Sequence, residues 1–114
     1  MSSISTHILD TARGIPAANV SISLHRQKNN DQWDCIGKGK TDSDGRVKDL
    51  HESQPTLSEG TYKMHFETRD YFSKAGDKCF YPYAEVVFVV GTDTAHYHIP
   101  LLLSPFGYST YRGS

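Results

Sequence analysis

The apolar residues of this chain recur at every second position, in short runs separated by turn residues, and that period admits strands and little else. Asn19 to Gln27 sets Val20, Ile22 and Leu24 against Ser21, Ser23 and His25. Gly60 to Thr68 repeats the pattern, with Tyr62, Met64 and Phe66 against Lys63, His65 and Glu67. Successive side chains of a strand point to opposite faces, so each run offers one face to a core and one to water. Trp33 to Thr41 is a weaker strand, loosened by Gly37 and Gly39. Ala84 to Val90 is the most apolar run and reads as a central strand, closed by Gly91-Thr92-Asp93. Ser43-Asp44-Gly45 is a turn in which Gly45 can take a positive φ. One stretch departs from the period: Asp70 to Asp77 predicts a short helix capped by Asp70, with Pro82 opening the next strand. The whole predicts an all-β fold, an antiparallel sandwich of two sheets with one short helix, in a single domain spanning 1–114.

Charge and composition remove several classes of function. A formal net charge of −1 with no long segment of one sign leaves no basic face for nucleic acid. No apolar run approaches the ~20 residues that cross a bilayer, so no membrane partner is expected. The opening MSSISTHILD has neither a basic nor an apolar leader segment, and the closing Arg-Gly-Ser is not a peroxisomal signal. A cytoplasmic protein is expected, peroxisomal or periplasmic only if a targeting segment has been removed. Cys35 and Cys79 lack C-x-x-C spacing and read as two free, buried thiols in a reducing compartment.

Strand parity at the two ends of the chain points to a site. In His96 to Leu103 one face carries Tyr97, Ile99, Leu101 and Leu103, which suits a core, and the other carries His96, His98, Pro100 and Leu102. In Ile4 to Leu9 the core face is Ile4, Thr6 and Ile8, leaving Ser5, His7 and Leu9 outside, while Ser109 and Tyr111 share a face near the end. If these outer faces are neighbours, they form one surface of apolar and imidazole character. Such a patch marks an interface or a binding groove, so symmetric association with the groove between subunits is predicted. The remaining histidines, His25, His51 and His65, fall on polar faces or in loops and read as solvated. His96 and His98 on one strand could hold zinc with His7 as a third ligand, or the same imidazoles could serve as acid and base. Arg46, just past the turn, is either an ordinary loop arginine or a fork for carbonyl and anionic oxygens. No Gly-x-Ser-x-Gly elbow is present, which argues against a covalent route.

The residues then match a known pattern in order. Ser5-Thr6-His7-Ile8-Leu9-Asp10, Gly14-Ile15-Pro16-Ala17, Asp44-Gly45-Arg46, Phe80-Tyr81-Pro82-Tyr83, His96 to Pro105 and the closing Tyr111-Arg112-Gly113-Ser114 resemble the 5-hydroxyisourate hydrolase branch of the transthyretin-like proteins. The resemblance implies two four-stranded sheets with a short helix, and a homotetramer with a central channel and sites at the dimer–dimer interface. It implies hydrolysis of 5-hydroxyisourate, the product of urate oxidase, with no cofactor and no metal. It places His7, Arg46 and His98 at catalytic positions and Tyr111 and Ser114 beside the substrate, with His96 unassigned. The base is expected to be His98, with His7 positioning water or substrate; the two roles can be exchanged. Hormone-carrying transthyretins lack His7, Arg46 and His98 at these positions, so a carrier without turnover is the competing reading.

Overall fold

The alternation is realised in a computed structural model that describes residues 3–29, 31–47, 50, 57–92 and 96–113. In chain order the strands are β1 (Ser3–Asp10), β2 (Ile15–Pro16), β3 (Ser21–Gln27), β4 (Trp33–Lys40), β5 (Arg46–Val47) and β6 (Gly60–Phe66). Helix α1 (Thr68–Lys74) follows, then β7 (Ala84–Val90), β8 (His96–Ser104) and β9 (Gly107–Thr110). One sheet runs β2-β1-β8-β9 with β5 also paired to β1, and the other runs β4-β3-β6-β7. The two-residue strands β5 and β2 occupy successive stretches of one edge of β1, at Thr6–His7 and Leu9–Asp10. The first sheet is therefore still four strands across, as expected.

Between the sheets lies the face that parity assigned to a core. Ile4 and Ile8 from β1, Leu24 from β3, Met64 and Phe66 from β6, and Leu101 and Leu103 from β8 are all at most 2% exposed. Helix α1 adds Phe72 to this core. Asp10 ties the helix to the end of β1. Its carboxylate accepts from the Tyr71 hydroxyl at 2.7 Å, from the amides of Ala12 and Arg13 at 3.1 Å, and from the Arg13 guanidinium at 3.1 Å. Burial alone would raise the Asp10 pKa, but these donors outweigh it and hold the carboxyl below its usual range. Burial and the Asp10 partner push the Tyr71 hydroxyl up to about 12.

Several sequence expectations are corrected. Strand β7 is not central: it lies at the edge of its sheet, with Val87 58% and Val89 69% exposed. The helix begins at Thr68 with Glu67 at the cap position and no side-chain cap, so Asp70 sits inside the first turn. The Arg69 amide instead donates to the Pro82 carbonyl, and the following strand opens at Ala84 rather than at Pro82. The thiols are free but not buried, Cys35 being exposed and Cys79 half-buried. One strand pair, β1 with β8, is parallel within an otherwise antiparallel sandwich.

Candidate functional site

The parallel pairing of β1 and β8 makes the site. Its register sets Ser3 beside His96, Ser5 beside His98 and His7 beside Pro100, so the two outer faces are one surface. His7 and His98 are diagonal neighbours on adjacent strands, about 8 Å apart at Cα from strand spacing and rise. On the other edge of β1, His7 pairs with Arg46. The face therefore reads Arg46, His7, His98 across three strands.

Arg46 reaches this place through its turn. Asp42 Oδ1 accepts from the amides of Asp44 at 2.9 Å and Arg46 at 3.0 Å, closing the loop that precedes β5. Gly45 has φ 74°, and its carbonyl accepts from the Ile8 amide at 2.8 Å. A Cβ at Gly45 would lie 2.5 Å from the Ile8 carbonyl oxygen. Only glycine lets this turn sit flush on β1 and present the next residue beside His7.

His98 is gripped on two sides. Ser5 Oγ lies 2.9 Å from its Nδ1, and the tail bridges to it where Gly113 N–H donates to the His98 carbonyl at 2.8 Å. A Cβ at Gly113 would fall 2.6 Å from His98 Cδ2, so the ring lies directly against the glycine. His98 is half-buried, and its pKa is lowered by that burial first, then by the positive charge of Arg46 and by His96 and His7. A lowered pKa keeps the imidazole neutral near pH 7, able to accept a proton. His96 is exposed, its ring 6.4 Å from that of His98, with Nε2 2.8 Å from Ser5 Oγ and Nδ1 hydrogen-bonded to Ser3 Oγ.

The surface is less apolar than parity alone suggested. Pro100 is buried, and Leu9 and Leu102 are half-buried within the single chain. Tyr111 is 58% exposed and borders a cleft of about 310 Å³ at the open ends of the two sheets, with Val87, Val89, Tyr97, Ile99 and Arg112. The Arg112 guanidinium stacks 4.8 Å from the centre of the Tyr97 ring in the same region. His7, Arg46 and His98 are thus brought together, and Tyr111 stands at the neighbouring strand end. Ser114 lies outside the described residues, as does His51. Among the described residues no group of three or more His, Cys, Asp or Glu side chains is arranged to hold a metal ion, so the three-histidine zinc alternative finds no ligand set there.

The other described histidines have partners on the opposite sheet. His25 Nε2 meets Ser23 Oγ at 2.8 Å, and His65 is held between Glu85 at 2.9 Å and Glu67 at 2.7 Å. Sequence reasoning missed Ser5, Asp42 and Gly113. The signal for Ser5 was present, since parity had placed it on the face of His7.

The sequence profile of the HIUase/Transthyretin family matches residues 4–113. A probable 5-hydroxyisourate hydrolase of Caenorhabditis elegans is 48% identical over 112 residues, covering 98% of this chain and 82% of that protein. The structure of Klebsiella pneumoniae 5-hydroxyisourate hydrolase superposes with a TM-score of 0.86 at 38% identity, covering 100% of both chains. Sea bream transthyretin, solved in complex with thyroxine, superposes with a TM-score of 0.90 at 34% identity, covering 97% of this chain and 94% of that one. A histidine-bearing outer sheet face, an arginine delivered to it by a glycine turn, and likeness along essentially the whole sequence agree: this chain belongs to the HIUase/Transthyretin family.

Proposed function

We propose that this protein is a hydrolase that opens the ring of 5-hydroxyisourate, giving 2-oxo-4-hydroxy-4-carboxy-5-ureidoimidazoline in urate degradation. The observation that carries the reading is the β1–β8 register, which puts His7 and His98 on one face with Arg46 across from His7. His98 accepts a proton from water as the water oxygen attacks the ring acyl carbon. His7 positions the water or the substrate. Arg46 binds substrate oxygens and stabilises the negative charge that develops on the tetrahedral carbon's oxygen. The ring C–N bond then breaks, and the proton held by His98 passes to the departing nitrogen. Tyr111 and Ser114 complete the reading as substrate-binding residues, Tyr111 through its hydroxyl and Ser114 through its terminal carboxylate.

His96 is exposed and His7 and His98 are half-buried on an outer sheet face, which supports a homotetramer in which a second subunit covers that face, with the site at the dimer–dimer interface. Strand β7 offers a further association edge, since Val87 and Val89 are exposed on an edge strand that other chains can extend. Light scattering at micromolar concentration checks the assembly; a monomeric mass contradicts it.

The competing reading, a small-ligand carrier, is favoured by the backbone likeness to the thyroxine complex of sea bream transthyretin. The imidazoles and guanidinium described above are what a carrier has no need of. Absorbance decay of 5-hydroxyisourate, freshly made by urate oxidase, decides between them. Decay accelerated in proportion to protein concentration supports the hydrolase, and decay at the spontaneous rate overturns it.

A further inference from the structure

His96 has no place in the reaction as proposed, yet it is tied to His98 by hydrogen bonds. Ser3 Oγ meets His96 Nδ1, His96 Nε2 is 2.8 Å from Ser5 Oγ, and Ser5 Oγ is 2.9 Å from His98 Nδ1. Parallel pairing makes this chain of groups regular: Ser3 and Ser5 on β1 stand beside His96 and His98 on β8. The four side chains run along the outer face from its exposed end into the site.

Proton counting leaves few arrangements. Each neutral imidazole has one N–H and one lone pair, and each serine has a single hydroxyl proton. Either Ser5 accepts from both imidazoles, with His98 again protonated on Nδ1, or every bond in the chain points the same way, which allows two orders. In the first, His98 Nδ1–H donates to Ser5, Ser5 O–H donates to His96 Nε2, and His96 Nδ1–H donates to Ser3. This leaves the His98 Nε2 lone pair free, and Nε2 has no hydrogen-bond partner among the described residues. In the second, every proton is shifted and His98 carries its proton on Nε2, where it cannot act as a base.

We infer that Ser5 and His96 are positioning residues that hold His98 in the Nδ1–H form and present its Nε2 lone pair to water. The inference rests on the proposed hydrolase reading, with His98 as base. His98 keeps its Nδ1–H through the reaction: the proton taken from water at Nε2 goes on to the departing nitrogen, and the Ser5 oxygen accepts from Nδ1–H while the ring is charged. His96 is the acceptor that turns the Ser5 hydroxyl proton away from His98.

The test reads the tautomer directly. Long-range proton–nitrogen NMR of the full chain labelled with 15N-histidine, with His98 assigned by its loss in His98→Gln, shows which ring nitrogen carries the proton. The expected result at neutral pH is protonated Nδ1 in the wild type. Ser5→Ala and His96→Ala should move the proton toward Nε2 and lower kcat about 10- to 100-fold with KM nearly unchanged, the range for partners that orient a functional imidazole. Ser5→Thr keeps a hydroxyl and His96→Gln keeps an acceptor, so both should restore the wild-type tautomer and most of the rate. A wild-type His98 protonated on Nε2, or Ser5→Ala with unchanged tautomer and rate, overturns the inference. If the wild type does not hydrolyse 5-hydroxyisourate, the proposed function falls, while the tautomer of His98 still answers whether Ser5 and His96 set it.

Discussion

Gly113→Ala is the substitution whose effect follows most directly from geometry. The new Cβ would stand 2.6 Å from His98 Cδ2, 3.2 Å from Cγ and 3.3 Å from Cβ, whereas ordinary contact begins at 3.4 Å. The closest approach is short by about 0.8 Å, so either the imidazole or the tail must give way. The tail is pinned by the Gly113 amide on the His98 carbonyl at 2.8 Å, and the ring by Ser5 Oγ at 2.9 Å. Overpacking of this kind costs about 1–3 kcal/mol, and a displacement near ~1 Å of a reacting group costs about 100-fold in rate. The expected outcome is kcat lowered about 100-fold in the 5-hydroxyisourate decay assay, with a melting temperature lower by only several degrees. Gly107→Ala is the control: its nearest neighbour would be Ser104 Oγ at 3.8 Å, and activity should stay at wild type. Wild-type kcat in Gly113→Ala would refute the claim that His98 works only in the position the tail gives it.

Other outcomes follow from the same geometry. His98→Ala should lower turnover by about 100-fold or more, the contribution expected of a general base, and near-wild-type rates remove it from that role. Because the His98 pKa is lowered, its neutral form persists further into acid, so the acid limb of kcat/KM should fall below pH ~6.5; Arg46→Gln removes a nearby positive charge and should shift that limb upward. Asp10→Asn should cost about 2 kcal/mol in denaturant unfolding through weakened bonds to a charged acceptor. The sign is set by Asp10's depressed pKa: its contribution is present above the ordinary value of 3.8 and is lost as pH falls through the lower folded value. Tyr71 acts at the other end, contributing stability below pH 10.0 that is lost as pH rises toward about 12, and Tyr71→Phe should flatten that alkaline limb. Gly45→Ala meets both a positive φ and the Ile8 carbonyl, so it should lose about 1–3 kcal/mol of stability and raise KM as Arg46 leaves its station beside His7.

The alternation of Ile4, Thr6 and Ile8 with Ser5, His7 and Leu9 was enough to put His7 on an outer face, because period two is a property of a single strand. The same held for His96 and His98 on β8, and the Asp-Gly-Arg run announced both the turn and the arginine beyond it. What stayed hidden depends on partners distant in sequence. Strand β7 read as central because its apolar residues look alike whether another strand of the chain covers them or they lie on an exposed edge. The helix start was displaced because Arg69 N–H finds the Pro82 carbonyl instead of a side-chain cap next to it. Gly113 carried no local sign of its importance, since the constraint on it is the ring of His98 and appears only once the tail is laid antiparallel to β8.

The backbone by itself does not choose between turnover and carriage. A hydrolase and a thyroxine-bound transthyretin superpose on this chain almost equally well, so anything that follows from strand order or sheet packing is shared by both. The choice lies in groups that cost stability to place. A half-buried imidazole whose charged form is disfavoured, an arginine raised beside it on a left-handed glycine, and a glycine kept bare so that a ring can lie against it each constrain folding without adding core. A carrier has no use for a base held neutral by burial and a neighbouring cation, because that arrangement weakens nothing but the protonated state. A hydrolase needs that state weak before water arrives and tolerable afterwards. The Ser3–His96–Ser5–His98 chain meets the second requirement, because Ser5 Oγ accepts from His98 Nδ1–H while the ring carries the proton on its way to the departing nitrogen.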